Sequence, residues 1–399
     1  MQKFSNSSAN GRVYLDNNAT TPHSPALMSR WHELIDIFGN PSSIHQDSRL
    51  PKTILRETKQ KIAELLGCSP LEIIFNSGAS EANSSVLKAV FYSADKLRNE
   101  YLISQVEHPS VIKTAMYLQS QGAIIHYIPV SRNGEIDIDF IKEKLSAKTA
   151  LVSVMYANNE TGTIFPVNEI SQLAHSVGAL MHSDCVQTLG KLILNFQELN
   201  VDYATFSAHK FYALSGTGFC YVRKSAKWIP LIHGGGQERS RRGGTENIIG
   251  IAALNIVLEQ LRNTEVKVNE MKRLRDLLEN LISQNISDIQ VIAQKAKRLC
   301  NTSSLIVGEI DGETLLMTLD LQGFSVSTGA ACSSGNPEPS PVLLAMGLTR
   351  AEAQSSLRVS LGWETTEIQV RQFVQALTET VHKLREINLS EKKSVYGHR

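Results

Sequence analysis

Between about residues 55 and 260, apolar runs of strand length alternate with longer stretches of helical periodicity. That alternation restricts the fold to a mainly parallel sheet with helices on both faces. Strands joined by crossovers run in one direction, so their carboxyl ends share one edge, where ligands of such sheets sit. The strand-like runs are Glu72–Phe75, Tyr101–Ser104, Ala123–Ile128, Ala150–Met155, Ala179–His182, Tyr203–Phe206 and Gly218–Val222. Helical patterns at Lys52–Leu66, Ser80–Tyr92 and Val167–Val177 fall between them, and one long amphipathic helix is predicted from about Ile251 to Ile282. Beyond it, shorter strands (Ser304–Val307, Ser356–Val359) and two helices (Gly312–Leu319, Thr366–Ile387) suggest a smaller α+β domain. The expected division is a large domain over 17–262 and a small one built from 1–16 and 263–399.

The 40 basic and 39 acidic residues leave a net charge of +1, so bulk charge does not direct the chain to nucleic acid or to a membrane surface. No apolar stretch approaches the ~20 residues needed to span a bilayer. Met1–Asn10 has no apolar core for a signal peptide, and a cytoplasmic location is expected. The five cysteines are odd in number and lack a close Cys-x-x-Cys pair, which argues against a disulfide framework and against a zinc site. No metal is expected. Cys220, inside the run Gly218–Val222, reads as core.

Two strand-like runs end on single ionisable residues: Gly178-Ala-Leu-Met-His-Ser-Asp184 and Tyr203-Ala-Thr-Phe-Ser-Ala-His-Lys210. Either the two form a buried ion pair, or they serve a shared ligand at the sheet edge. Pyridoxal phosphate (PLP) needs such a pair, an amine to bind its aldehyde and an acid to keep its pyridine nitrogen protonated. Other features fall on the same edge. Asn76-Ser-Gly-Ala-Ser-Glu81 joins a strand to a helix with small side chains and free N–H groups, which suits phosphate. His108 follows the run Tyr101–Ser104, Asn159 follows Ala150–Met155, and Gln187 lies three residues past Asp184. The glycine-rich, basic stretch His233–Asn247 reads as an anion site or an interface. Ser325–Gly335 is built almost wholly from small residues around Cys332, which predicts a mobile surface loop, about 325–336, with a reactive thiol.

Further motifs occur in order along the chain: Tyr14-Leu-Asp-Asn-Asn-Ala-Thr-Thr-Pro22, Phe38-Gly-Asn-Pro-Ser-Ser43 and Ser355-Ser-Leu-Arg-Val-Ser-Leu-Gly362. With the residues above they resemble the cysteine desulfurases of the NifS/IscS type, PLP enzymes of aminotransferase fold type I. The resemblance implies that Lys210 binds PLP through a Schiff base and that Asp184 pairs with the pyridinium nitrogen. Gln187 bonds the ring hydroxyl, and His108 stacks on the ring and assists as a base. Ala79, Ser80, Ser207 and His209 bind the phosphate, and Thr245 reaches the phosphate of a neighbouring subunit, so a homodimer is implied. Arg358 and Asn159 hold the carboxylate of L-cysteine. Cys332 takes the sulfur as a persulfide, leaves L-alanine, and passes the sulfur to an acceptor protein for iron–sulfur cluster assembly or tRNA thiolation. Two other readings stay open: a related PLP lyase acting on selenocysteine or cysteine sulfinate, and a non-enzymatic paralogue serving as a scaffold. The sequence departs from the family pattern after Lys210, where Ala213-Leu-Ser-Gly216 stands for the usual Gly-Pro-Lys-Gly. It departs again at Cys185, a position usually held by alanine, and at Ser80, usually threonine.

Overall fold

The structure, a computed structural model, describes residues 11–193, 195–329 and 338–396, with backbone alone from 391 onward. Among the described residues, twelve strands form three sheets. They are β1 (Val13–Tyr14), β2 (Ile73–Asn76), β3 (Glu100–Ser104), β4 (Ile124–Ile128), β5 (Thr149–Ser153) and β6 (Leu180–Asp184). These are followed by β7 (Tyr203–Ser207), β8 (Gly218–Val222), β9 (Ile289–Val291), β10 (Thr302–Val307), β11 (Phe324–Ser325) and β12 (Ser356–Ser360). The main sheet has seven strands in the order β2-β8-β7-β6-β5-β3-β4. Only β8 runs against its neighbours, antiparallel to both β2 and β7. The other strands therefore end on one edge. Helices cover both faces, so β5, β7 and β8 are buried at every residue, which explains their unbroken apolar character.

A second sheet, β12-β10-β9, is antiparallel, and β1 pairs with β11 as a short parallel ribbon. The side chains of Val13 and Leu15 join a second apolar core with β10, β12 and the C-terminal helix Glu367–Tyr396. The N-terminal segment is thus built into the C-terminal part of the chain. It is strapped there by Ser360 N–H donating to the Leu15 carbonyl at 2.7 Å and Asn17 N–H donating to the Ser360 carbonyl at 3.1 Å.

The single long helix predicted over 251–282 is two helices, Ile248–Leu261 and Glu265–Asn285. The first is apolar around its circumference and buries Ile251, Leu254, Val257 and Leu258 in the main core. The second turns only a stripe inward, placing Leu274, Leu278 and Ile282 in the other core. One straight rod cannot follow two separate cores, and the chain breaks at 262–264. Strand β9 carries no alternation that sequence reading could find in its three residues.

Gly218 marks where the main sheet meets the first ligand-facing turn. A methyl group there would lie 2.6 Å from the Phe206 carbonyl oxygen and 2.7 Å from Gly78 Cα. Gly78 itself holds φ at +146°, the bend that turns β2 into the helix Ala79–Ser93.

Candidate active site

A cavity of about 390 Å³ opens at the carboxyl edge of the main sheet. Lys210, Asp184, His108, Gln187, Asn159 and Arg358 all line it. So do Ala79, Ser80, Ser207 and His209, which places every predicted cavity residue but two on one surface. Thr245 is elsewhere: exposed, it lines a separate hollow of about 130 Å³ with Arg242, Asn76 and Ser77. Cys332 lies outside the described residues, as does most of the loop predicted over 325–336.

Asp184 ends β6 with its carboxylate fixed from two sides. Oδ2 accepts from Asn83 Nδ2 at 2.8 Å, and Oδ1 accepts from the Val186 amide at 3.0 Å. Asn83, fully buried on the helix Ala79–Ser93, is held in turn by the Thr205 hydroxyl donating to its Oδ1 at 2.6 Å. Sequence reading missed Asn83, because a lone polar residue in a helical run gives no sign that it faces a sheet edge.

Lys210 sits on the one-turn helix Ala208–Lys210 directly after β7, and its Nζ donates to the carbonyls of Asn18 at 2.9 Å and Ala19 at 2.5 Å. Burial pushes its pKa down to about 8, helped by the Arg358 charge and opposed by Asp16 and Asp184. The turn after it closes without the family's glycine and proline. Phe211 and Ala213 N–H groups both donate to the Ala208 carbonyl, at 3.1 and 3.2 Å. The positive φ of +73° falls on Tyr212, whose ring stacks on Trp363 at 4.1 Å between centroids. Aromatic packing thus holds the strained residue, and Ala213 fits as a buried methyl.

His108 caps the helix Pro109–Ser120, with Nδ1 accepting from the Ser110 amide at 3.1 Å. Desolvation holds its pKa below the usual imidazole range, as does Lys210, against the pull of Asp184. With Nδ1 accepting, the proton of the neutral ring resides on Nε2. Next to it, Glu107 is buried, and burial first, then Asp184, holds its carboxyl well above the carboxylate range.

Arg358 comes from β12, in the smaller sheet. Its guanidinium donates to Asp16 Oδ1 at 2.7 Å and to the Asn159 carbonyl at 3.3 Å, while the buried Nε has no hydrogen-bond partner among the described residues. Following Asn159, Glu160 accepts from the Ser340 hydroxyl, and a methyl on Gly329 would come within 2.5 Å of its Oε2. Burial lifts the Glu160 pKa to about 7 despite Ser340 and Arg358.

The glycine-rich stretch does not line this cavity but is tied to the turn that borders it. Arg242 donates twice to Glu81, Nε to Oε1 at 2.9 Å and a terminal nitrogen to Oε2 at 3.2 Å, and Glu81 accepts from the Ser77 amide at 3.0 Å. Cys185 is fully buried, and burial raises its thiol above the ordinary range, which makes it an inert apolar neighbour of Asp184.

A sequence profile described as Aminotransferase class-V matches residues 13–373. The chain belongs to the class-V aminotransferase family. A cysteine desulfurase from Trichormus azollae is 39% identical over 378 residues, covering 94% of each chain. A solved structure titled "NIFS-LIKE PROTEIN" superposes with a TM-score of 0.86 at 35% identity, covering 93% of this chain and 99% of that one. Another, titled "SspA in complex with cysteine", gives a TM-score of 0.77 at 29% identity, covering 87% and 98%. The parallel sheet flanked by helices is the fold of these class-V relatives, the PLP fold type I expected from the sequence.

The residues of the cavity fit PLP. The cavity volume lies in the usual range of roughly 300–1,000 Å³ for small-molecule pockets. An amine of lowered basicity and a doubly held carboxylate stand on adjacent strand ends. The turn at Gly78 leaves room beside Ser207, and Arg358 brings a positive charge to the same cavity.

Proposed function

We propose that this chain is a PLP-dependent cysteine desulfurase, converting L-cysteine to L-alanine and passing on the sulfur. The observation that carries the reading is the meeting of Lys210, Asp184 and Arg358 on one cavity, from two sheets. It is supported by relatives named cysteine desulfurase at 39% identity over nearly the whole chain.

Bound PLP supplies an electron sink that weakens bonds at the α- and β-carbons of an attached amino acid. Asp184, kept from turning by Asn83 and the Val186 amide, holds the proton on the ring nitrogen. Lys210 would anchor the cofactor and would move the α-proton of the substrate, a task suited to an amine whose pKa is lowered to about 8. Ala79, Ser80, Ser207 and His209 would hold the phosphate, Gln187 would donate to the ring oxygen, and His108 would cover the ring face. Arg358, with Asn159, grips the substrate carboxylate from the cavity wall. Cys332 attacks the substrate sulfur. The bond from that sulfur to the β-carbon breaks, a bond to Sγ of Cys332 forms, and the products are L-alanine and a persulfide.

Residues 17–262 form the cofactor-bearing domain in this reading, and 1–16 with 263–399 the smaller one. Thr245, exposed and away from its own cavity, serves the phosphate of a second subunit, so the working unit is a homodimer. The sulfur goes to an acceptor protein of iron–sulfur assembly or tRNA thiolation in the cytoplasm. No described helix is long and apolar enough to cross a membrane.

The test is to incubate the PLP-loaded protein with L-cysteine and a thiol reductant, and to measure alanine and sulfide. Equal yields of both are expected, with none from Lys210→Ala and none from Cys332→Ser. Lack of alanine from the parent protein rejects the proposal. Full turnover by Cys332→Ser moves it to a lyase without sulfur relay.

A further inference from the structure

Lys191 is buried, only 2% exposed, and the chemistry above does not use it. It lies four residues past Gln187, in the segment that follows β6, and its Nζ donates to Gln187 Oε1 and to Asn18 Oδ1 at 3.2 Å. No carboxylate pairs with it among the described residues; burial, then the Lys210 charge, push its pKa down to about 7. A buried amine without an acid adds no stability through charge pairing. Its geometry serves another end.

We infer that Lys191 is a positioning residue that holds the Gln187 amide with its N–H groups toward the cofactor cavity. An amide side chain has a donating end and an accepting end, and only its partners decide which way it faces. The Lys191 N–H groups claim the oxygen. At the other end Gln187 Nε2 donates to the Asn18 carbonyl at 3.0 Å, and the remaining N–H is left for the cavity that Gln187 lines. Reversed, the amide would set its oxygen against the Asn18 carbonyl and its nitrogen against an amine. Asn18 cannot yield to such a change. Its Oδ1 also accepts from Asn301 Nδ2 at 3.1 Å, and its own Nδ2 donates to the Asn159 carbonyl at 3.0 Å and to the Thr302 hydroxyl at 2.8 Å. The Asn18 carbonyl that receives Gln187 also receives Lys210, at 2.9 Å. Lys191 therefore turns Gln187 into a fixed donor beside the anchoring lysine, aimed at an anionic oxygen of the ligand ring. The inference rests on the PLP reading and names the residue that gives Gln187 its part in it.

The experiment compares the parent with Lys191→Met, Lys191→Gln, Gln187→Ala and the Lys191→Met/Gln187→Ala pair. Two quantities are read: the PLP dissociation constant of the cofactor-stripped protein, and the midpoint pH of the loaded protein's visible-absorbance titration. Lys191→Met should weaken PLP binding about tenfold, the scale of one buried hydrogen bond to a charged group. It should also move the midpoint by about half a pH unit or more. The double variant should be no worse than Gln187→Ala alone, because the lysine acts through the amide. Lys191→Gln, which restores a donor without charge, should recover the parent midpoint, and it carries the comparison should Lys191→Met not fold. Equal behaviour of Lys191→Gln and Lys191→Met, or a full additional loss in the double variant, overturns the inference alone. Failure of the parent to bind PLP overturns the functional reading and this inference with it.

Discussion

Asp184 ends one strand of the main sheet and Lys210 lies one helical turn past the end of the next, yet each gives its hydrogen bonds to other partners. The carboxylate takes Asn83 and the Val186 amide, while the amine goes to the Asn18 and Ala19 carbonyls. Among the described residues no ion pair joins the two, so the space between them is left for a ligand that each can grip from its own side.

The grip at Asp184 depends on Asn83. Asn83→Ala should weaken PLP binding by about tenfold, since it frees a buried carboxylate oxygen and strands the Thr205 hydroxyl. Asp184→Ala removes the charge itself and should cost more, about 3–5 kcal/mol. Equilibrium dialysis with PLP measures both, and equal occupancy in all three proteins would count against the role given to Asp184.

Lys210 should react with PLP at lower pH than a free lysine does. Its pKa is lowered from 10.5 to about 8, so the nucleophilic free amine prevails above that point and is lost as pH falls below it. Borohydride trapping of PLP on the cofactor-stripped protein, followed by mass across pH 6 to 11 (roughly the span of the two pKa values), reports the midpoint. A midpoint near the ordinary lysine value means that the buried environment does not reach the amine in solution.

Glu160 should make stability pH-dependent. Its folded pKa of about 7 lies above the ordinary 4.5, so the folded state holds the extra proton between those values. Its stabilising share is complete below pH 4.5 and is lost as pH rises through 7, a change on the order of 3 kcal/mol. Glu160→Gln cannot titrate, so the stability gap between variant and parent should shift in favour of the variant from pH 5 to pH 8 (roughly, the window of the shift) in urea unfolding. A gap independent of pH refutes the assignment.

Gly218→Ala should lower the melting temperature of the whole protein. The added methyl would meet the Phe206 carbonyl oxygen at 2.6 Å and Gly78 Cα at 2.7 Å, both backbone atoms that cannot swing aside. Overpacking of this kind costs about 1–3 kcal/mol. Gly216→Ala is the contrast: nothing lies near its side-chain position, so its cost comes from the backbone at φ +72° alone. Calorimetry that ranks Gly216→Ala as the more damaging would show that strain, and not contact, governs this turn.

What the sequence made legible follows from where its signals come from. The strands of the main sheet are buried on both faces, so their apolar runs stand out, and residues at their carboxyl ends share an edge by topology alone. Lys210, Asp184 and His108 reach one cavity for that reason. The helix break at 262–264 was missed because apolar positions resume at Val266 and Val268 after four polar residues, and the change of core that forces the break exists only in three dimensions. Lys191 and Asn83 were missed because their partners come from other segments: Asn18 for the first, Asp184 and Thr205 for the second. A lysine four residues past a pocket glutamine was a usable clue, since that spacing brings side chains together on a helical turn.

Arg358 reaches the cavity from the smaller sheet, whereas Lys210 and Asp184 stand on the larger one. Under the proposed chemistry, damage to this protein then comes in two colours. Lesions that unseat β12 leave a yellow protein, still carrying its cofactor, that no longer retains the amino acid. Lesions at the edge of the main sheet leave a colourless one, and a spectrum taken before any assay tells which half of the molecule has failed.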